Sequence, residues 1–443
     1  MRINILSGAV LCTAIFTGSV MGQTKKDAAV KLITLDPGHF HAALVQKTTL
    51  PDLDATVHVY APKGDDVQQH LDKIKAYNER KDDPTHWKEE VYLGNDFFDK
   101  MIAEKKGNVV VMAGNNQKKT EYIKRSIDAG FNVLGDKPMA IDKAHFNMLK
   151  SAFDDAAKKK LVLYDIMTER YEITNTLQRE FAMLPEVFGT LKKGTPAKPG
   201  VEMESIHYFY KYVSGSVLTR PAWFFDTNQQ GEGLQDVGVH LVDLVQWICF
   251  PDKIVDYKKD IQFNNASRWP AEVTLSQFNG ITKMNGFPAY LKKNVVKDSI
   301  LQVYANGSVN YKLFGVNVKV TAKWDYKAVE GGDSQYAVLH GTKADLVIKQ
   351  TAAEKYAPVL YINPVNNDAA FEQALNAKLK VVQAKYPGVE LKKEGKGYTV
   401  IIPEKYKDGH EAHFGRVTEK YLGYLRNDNM PKWEVPNMIA KYY

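Results

Sequence analysis

The chain has 443 residues, 44% of them hydrophobic, with 59 basic and 52 acidic side chains and a formal charge of +7. That is enough apolar material for two compact domains, and the composition excludes a disordered, collagen-like or coiled-coil chain. The lysines are scattered instead of gathered into an arm, so the positive balance describes a solvated surface and not a nucleic-acid partner.

Residues 1–22 have the shape of a secretory signal: Arg2, an apolar stretch from Ile5 to Val20 broken by small residues, then Gly22 before a polar segment starting at Gln23. The run is too short and too interrupted for a membrane anchor. Export to the periplasm, with no membrane span after cleavage, is the expectation. Cys12 falls inside this segment, which leaves Cys249 as the one thiol of the mature chain. No intrachain disulfide or cysteine-based zinc cluster can then form, and Cys249, between Ile248 and Phe250, reads as a small core residue.

From Val30 to about Asp165, short β-branched runs alternate with helical stretches, the pattern of a parallel sheet with crossover connections. The spacing predicts strands at Val30–Leu35, Thr56–Tyr60, Val109–Met112, Asn132–Leu134 and Leu161–Tyr164. It predicts helices at Lys118–Ala129, ended by Gly130, and at Lys143–Lys160, with lysines in the last turn. Beyond Met167 the pattern changes to a helix over Glu172–Met183, a Gly/Pro/Lys-rich loop over Gly189–Gly200 and a strand over Glu204–Val213. A helix over Gly238–Cys249 precedes strands at Asp298–Tyr304, Gly307–Leu313, Val316–Trp324 and Lys343–Lys349. A helix at Asp368–Tyr386, a hairpin around Gly395–Gly397 and a closing helix near His413–Arg426 complete the chain. The predicted fold is α/β: a Rossmann-like doubly wound parallel sheet over 30–165, then an α+β domain over 166–443 with a large, open, mostly antiparallel sheet.

Two segments carry the chemistry. Gly135-Asp136-Lys137-Pro138 follows a predicted strand directly, and ligands of a doubly wound sheet bind beyond the carboxyl ends of its strands. A lysine there brings a cation into the crevice. About a hundred residues later stands Gly231-Glu232-Gly233-Leu234-Gln235-Asp236-Val237-Gly238-Val239-His240, with Asp243 beyond it. Asp236, His240 and Asp243 share a face if the segment is helical, so Asp236 is expected to orient the His240 imidazole one turn on. Each motif alone reads as a surface turn or a capped helix.

Together, in this order, the two motifs resemble the Gfo/Idh/MocA oxidoreductases, whose members carry Glu-Lys-Pro after a strand and a glycine run leading into Asp-x-Gly-x-His-x-x-Asp. Here the first has Asp136 in place of Glu, and the second is matched at Gly231, Gly233, Asp236, Gly238, His240 and Asp243. Val109–Asn116 looks like the family's strand and loop, and Trp223 precedes the glycine run as a tryptophan often does. The resemblance implies a two-domain enzyme that uses tightly bound NAD or NADP to oxidise a hydroxyl of a sugar or glycoside, forming a keto-sugar. It implies Lys137, Asp236 and His240 as catalytic residues; Asp36, Gly38, His39, Asn115, Asn116, Lys137 and Pro138 around the cofactor; and Tyr210, Trp223, Asp236 and His240 around a carbohydrate substrate. Association of copies through the C-terminal sheet is also expected.

Departures from the family pattern keep other readings open. The phosphate loop after the first strand, Asp36-Pro37-Gly38-His39-Phe40-His41, has one glycine where a dinucleotide fingerprint has three. The second strand ends without the acidic residue that holds a ribose, leaving Asp65, Asp66 or Lys63 as substitutes and NAD versus NADP undecided. Lys118 stands in place of a family histidine and Phe224 in place of an arginine. His39 and His41 face cofactor, substrate or metal equally well on sequence grounds, but two histidines with one nearby carboxylate make a thin metal case, so no metal is expected. His410 and His413 read as a loop-to-helix junction. The alternative functions are an NAD-dependent glycosidase working through a transient keto-sugar and a non-catalytic carbohydrate-binding protein on a degenerate scaffold.

Overall fold

The structure is a computed structural model that describes residues 30–213, 216–328 and 332–443; the expected signal segment lies outside them. No helix among the described residues is long and apolar enough to cross a membrane.

The N-terminal unit alternates β1 (Leu32–Leu35), α1 (His41–Leu44), β2 (Thr56–Ala61), α2 (Asp65–Glu79), β3 (Lys88–Leu93), α3 (Phe97–Glu104), β4 (Val109–Met112), α4 (Asn116–Asp128), β5 (Asn132–Asp136), α5 (Lys143–Lys159) and β6 (Leu163–Ile166). Its six strands are all parallel in the order β3-β2-β1-β4-β5-β6. Strand order reverses between β1 and β4, so the crevice for a ligand lies beyond their carboxyl ends. Fully apolar runs such as Val109–Met112 are buried on both faces, as a sheet covered by helices requires. The helices start on side-chain caps: Asn115 accepts from the Gln117 amide (3.0 Å) and Asp142 from that of His145 (2.8 Å).

The second unit opens with α6 (Ile173–Ala182) and β7 (Val201–Tyr210), then a short hairpin of β8 (Tyr212–Val213) and β9 (Ser216–Val217). It continues through α7 (Thr227–Gln230), a π-helical turn at Leu234–Gly238 and α8 (Val239–Cys249). Next come β10 (Ile261–Thr274), α9 (Leu275–Thr282), β11 (Val295–Val296), β12 (Ile300–Leu313), β13 (Val316–Lys327), β14 (Ser334–His340), β15 (Ala344–Gln350) and β16 (Val359–Pro364). The chain closes with α10 (Ala369–Lys385), β17 (Glu390–Glu394), β18 (Gly397–Ile401), α11 (His410–Asn427) and α12 (Glu434–Tyr442). The large sheet runs β10-β12-β13-β7-β14-β15-β16-β18-β17 with β11 beside β12, antiparallel throughout except for the β13–β7 pair. Its inner face packs on α6, α8 and α10 through Leu177, Phe181, Leu244, Ile248 and Leu375.

The stretches expected as two strands at Asp298–Tyr304 and Gly307–Leu313 are one continuous strand, β12. Its neighbour β10, mostly solvent-exposed and carrying Pro270, is an edge strand that hydrophobic patterning does not announce. The glycine run earns its composition by packing: a Cβ on Gly233 would lie 1.8 Å from the Ala305 carbonyl oxygen.

The domain division at residue 166 misses a return of the chain. Helices α11 and α12 pack on the N-terminal sheet, with Phe414, Val417, Tyr421 and Met438 in one core with Val133, Leu163 and Ile166. A buried ionic network fixes this return. Arg170 makes paired bonds to Asp243 (2.6 and 2.7 Å) and to Glu434 (3.0 Å each), and Lys441 bridges Asp165 (2.6 Å) and Asp243 (3.0 Å). Three carboxylates thus face two cations, and tyrosine hydroxyls take up the surplus: Tyr164 and Tyr424 donate to Glu434, and Tyr442 to Asp165. Burial acts to raise the Asp243 pKa, but the Arg170 and Lys441 charges hold it well below the usual carboxylate range.

Removing one member of a buried, hydrogen-bonded charge set leaves its partners uncompensated, at a cost of about 3–5 kcal/mol. Arg170→Met is therefore expected to destabilise the protein by that amount in urea unfolding. A loss under about 1 kcal/mol, the range of an exposed ion pair, would show that the network does not hold the units together.

Candidate active site

Lys137 leaves the end of β5 across a cis peptide to Pro138 and reaches the second unit. Its Nζ donates to Asp236 Oδ1 (2.7 Å) and to the Asp236 carbonyl oxygen (2.9 Å), with both side chains about nine-tenths buried. Burial acts to raise the Asp236 pKa, yet the neighbouring Lys137 cation holds it at about 2. The two are an ion pair, formed between motifs that are 99 residues apart.

The expected Asp236–His240 contact is absent. The π-helical turn at 234–238 adds a residue to the turn and rotates Asp236 away from the face that His240 occupies on α8. His240 Nδ1 has no hydrogen-bond partner among the described residues. Burial first, and the Lys137 charge second, push its pKa well below 6.5, so the imidazole is neutral. Asp243 is also turned from the site and belongs to the Arg170 network.

Lys137, Asp236 and His240 line one cavity of about 880 Å³ between the units. Tyr210 lines it too, with Tyr208 beside it on β7 and Tyr212 on β8. His410 and His413 sit in the first turn of α11 and close another side. Sequence reasoning missed two groups. Glu169 faces the cavity with its pKa raised to about 7 by burial and then by the Glu172 charge, so it can carry a proton at neutral pH. His207 accepts or donates at Ser205 Oγ (2.9 Å) through Nε2 and meets Asp333 (3.1 Å) through Nδ1, a chain in which Ser205, only 2% exposed, orients the ring. No local pattern in the sequence marks either residue.

The cofactor side departs from expectation. Asp36 has a left-handed φ of 45°, and the loop folds down so closely that a Cβ on Gly114 would lie 2.3 Å from the Asp36 carbonyl oxygen. The amides of Gly38 and His39 both donate to the Ala113 carbonyl (3.1 and 3.0 Å), which removes the donors a pyrophosphate would use. Burial raises the Asp36 pKa against the opposing Lys118 charge, and Tyr122 donates to its carboxylate. Trp223 is a correction: its ring lies against Gly38 and its Nε1 donates to Asp66 (3.0 Å), so it lies over the phosphate loop and does not line the cavity with Tyr210, Asp236 and His240. Asn115 and Asn116 are likewise occupied, donating to Gln229 (2.8 Å) and to the Gln230 carbonyl (2.7 Å) of α7. The crevice therefore fits the reactive end of a dinucleotide, where Lys137 opens on the cavity. Its pyrophosphate end is closed by the loop as it stands.

A family model described as "Putative oxidoreductase C terminal domain" matches residues 177–443. A comparison with curated proteins gives no match. Among solved structures, one described as a "putative oxidoreductase" from Parabacteroides merdae is 52% identical, with 94% of this chain and 95% of that chain covered and a TM-score of 0.92. Two distant structures share the fold: KijD10, a 3-ketoreductase from Actinomadura kijaniata in complex with NADP (12% identity, 93% and 95% covered, TM-score 0.54), and a myo-inositol dehydrogenase, also described as putative, from Sinorhizobium meliloti (13%, 94% and 94%, 0.52). With Lys137 and Asp236 paired across the cleft of this two-unit fold, the chain belongs to the Gfo/Idh/MocA family of NAD(P)-dependent oxidoreductases.

Proposed function

We propose that the protein oxidises a hydroxyl of a sugar or glycoside, or reduces the corresponding ketone, in the cavity between its units. The observation that carries this reading is the Lys137–Asp236 ion pair with neutral His240 on the same cavity wall. The tyrosines of β7 supply faces for a sugar ring, and two distant fold relatives are described as a 3-ketoreductase and a putative myo-inositol dehydrogenase. The apolar segment over Ile5–Val20 supports export, which favours a cofactor that is held through many turnovers.

A bound nicotinamide would supply the hydride acceptor or donor, held beside Lys137 where the crevice opens on the cavity. The chain's own residues handle charge and protons. Lys137, anchored by Asp236, presents an ammonium to the reacting oxygen and favours its alkoxide. His240, neutral and with a free ring nitrogen, takes the hydroxyl proton or returns it.

His240→Ala and Lys137→Gln are each expected to lower kcat/KM by at least about 100-fold with unchanged circular dichroism; full turnover in both would refute the assignment. Because the His240 pKa is lowered, its base form persists below pH 6.5, so the acid limb of the kcat/KM profile should fall clearly under that value. Trp223 lies against Gly38, so titration with NAD or NADP should change tryptophan fluorescence in the native protein and not in Trp223→Phe. No saturable response or retained nucleotide in the native protein would count against the cofactor.

A further inference from the structure

We propose that His39, His41 and Asp136 bind a divalent transition-metal ion, Zn²⁺ foremost, at the cavity wall beside Lys137. Each of the three offers a ligand atom, and these atoms lie within 4.8 Å of one another. His41 Nδ1 stands 3.0 Å and His39 Nδ1 3.6 Å from the same carboxylate oxygen, Asp136 Oδ2. A tetrahedral zinc with nitrogen and oxygen ligands at about 2.0–2.1 Å has ligand–ligand edges of roughly 3.4 Å. The two separations bracket that edge, so an ion fits with small side-chain shifts.

Hydrogen bonding alone leaves this cluster unsatisfied. Asp136 is 2% exposed, yet its Oδ1 has no partner, and neither does His39 Nδ1. Orphaned buried polar atoms cost about 1–3 kcal/mol each, and an ion among the three would draw on both. Two cations oppose the ion, but both are already engaged: Lys119 Nζ donates to the Asp136 carbonyl (3.0 Å) and to Asn116, and Lys137 is paired with Asp236. Phe414 packs on the His41 ring at 4.6 Å and fixes its orientation.

The shape follows from three sequence features. The loop enters the single turn of α1 at Phe40, which swings residues 39 and 41 to one side, with their rings 4.0 Å apart and nearly perpendicular. Asp136 ends β5 directly opposite, and its side chain is one methylene shorter than the Glu of the family motif, leaving room between carboxylate and imidazoles. Two histidines and one carboxylate leave a coordination position open, as in catalytic sites. Here that position faces the cavity, because both histidines line it. A sugar hydroxyl or ketone oxygen is the ligand it would take. That last assignment rests on the proposed reaction, whereas the metal site does not.

The test is metal content. Full-length protein stripped with a chelator and then given ZnCl₂ should retain one zinc per chain by elemental analysis after gel filtration, and CoCl₂ in its place should give the visible absorption of tetrahedral Co²⁺. His39→Gln, at a side chain on the cavity wall, and Asp136→Asn should each abolish retention while circular dichroism is unchanged. Failure to retain zinc, or retention unaltered in both variants, overturns the proposal. Retained zinc in a protein that oxidises no sugar would sustain the metal site and refute the reaction, so the two readings fail separately.

Discussion

The architecture rests on a set of charges that water does not reach. Arg170, Asp165, Asp243, Glu434 and Lys441 come from the end of β6, the turn after it, α8 and α12, and their side chains are between 0% and 9% exposed. Desolvating five ionised groups is costly, and only near-complete pairing offsets it. Each partner is therefore held to one geometry. Because Asp243 lies on the helix that carries His240, the same geometry sets where the imidazole meets the cavity. The last aspartate of the glycine-run motif is spent on pairing Arg170 and Lys441.

The groups proposed to react are divided between the units, so neither unit holds the full set. The N-terminal sheet supplies Lys137 and the second unit supplies Asp236 and His240. The ion pair lowers the Asp236 pKa and fixes the ammonium, while His240 Nδ1 is left without a hydrogen-bond partner among the described residues. Around them the protein has filled part of the usual nucleotide crevice with its own atoms. The loop at Asp36 lies on Gly114, Trp223 lies on Gly38, and two asparagines reach across to α7.

Much of this was legible in the sequence because it depends on local pattern. The parallel strands and the irregular phosphate loop follow from spacing and residue type, whereas a shared site for Lys137 and Asp236 was implied by the family resemblance of their two motifs. What was not legible depends on features that spacing alone hides. A π-helical turn shifts phase, so an Asp-x-x-x-His pair that should touch does not. Pro270 and an exposed face disguise β10 as loop. The carboxylate opposite His39 and His41 is 95 residues away from His41 in sequence, which no periodicity can reveal. Glu169 gains its raised pKa from burial, a property of the assembled cavity.

The return of α11 and α12 to the first sheet bears on how the chain reaches this state. Tyr164 and Glu434, bonded to each other, are 270 residues apart. Closing a loop of that length is slow, and contacts of such separation form late. During synthesis the first sheet is complete in strands long before Phe414, Tyr421 and Met438 exist to cover it, so its outer flank stays apolar and exposed in the nascent chain. A chain built this way cannot fold unit by unit from its N-terminus. The first sheet closes its core only after the last two helices have been made.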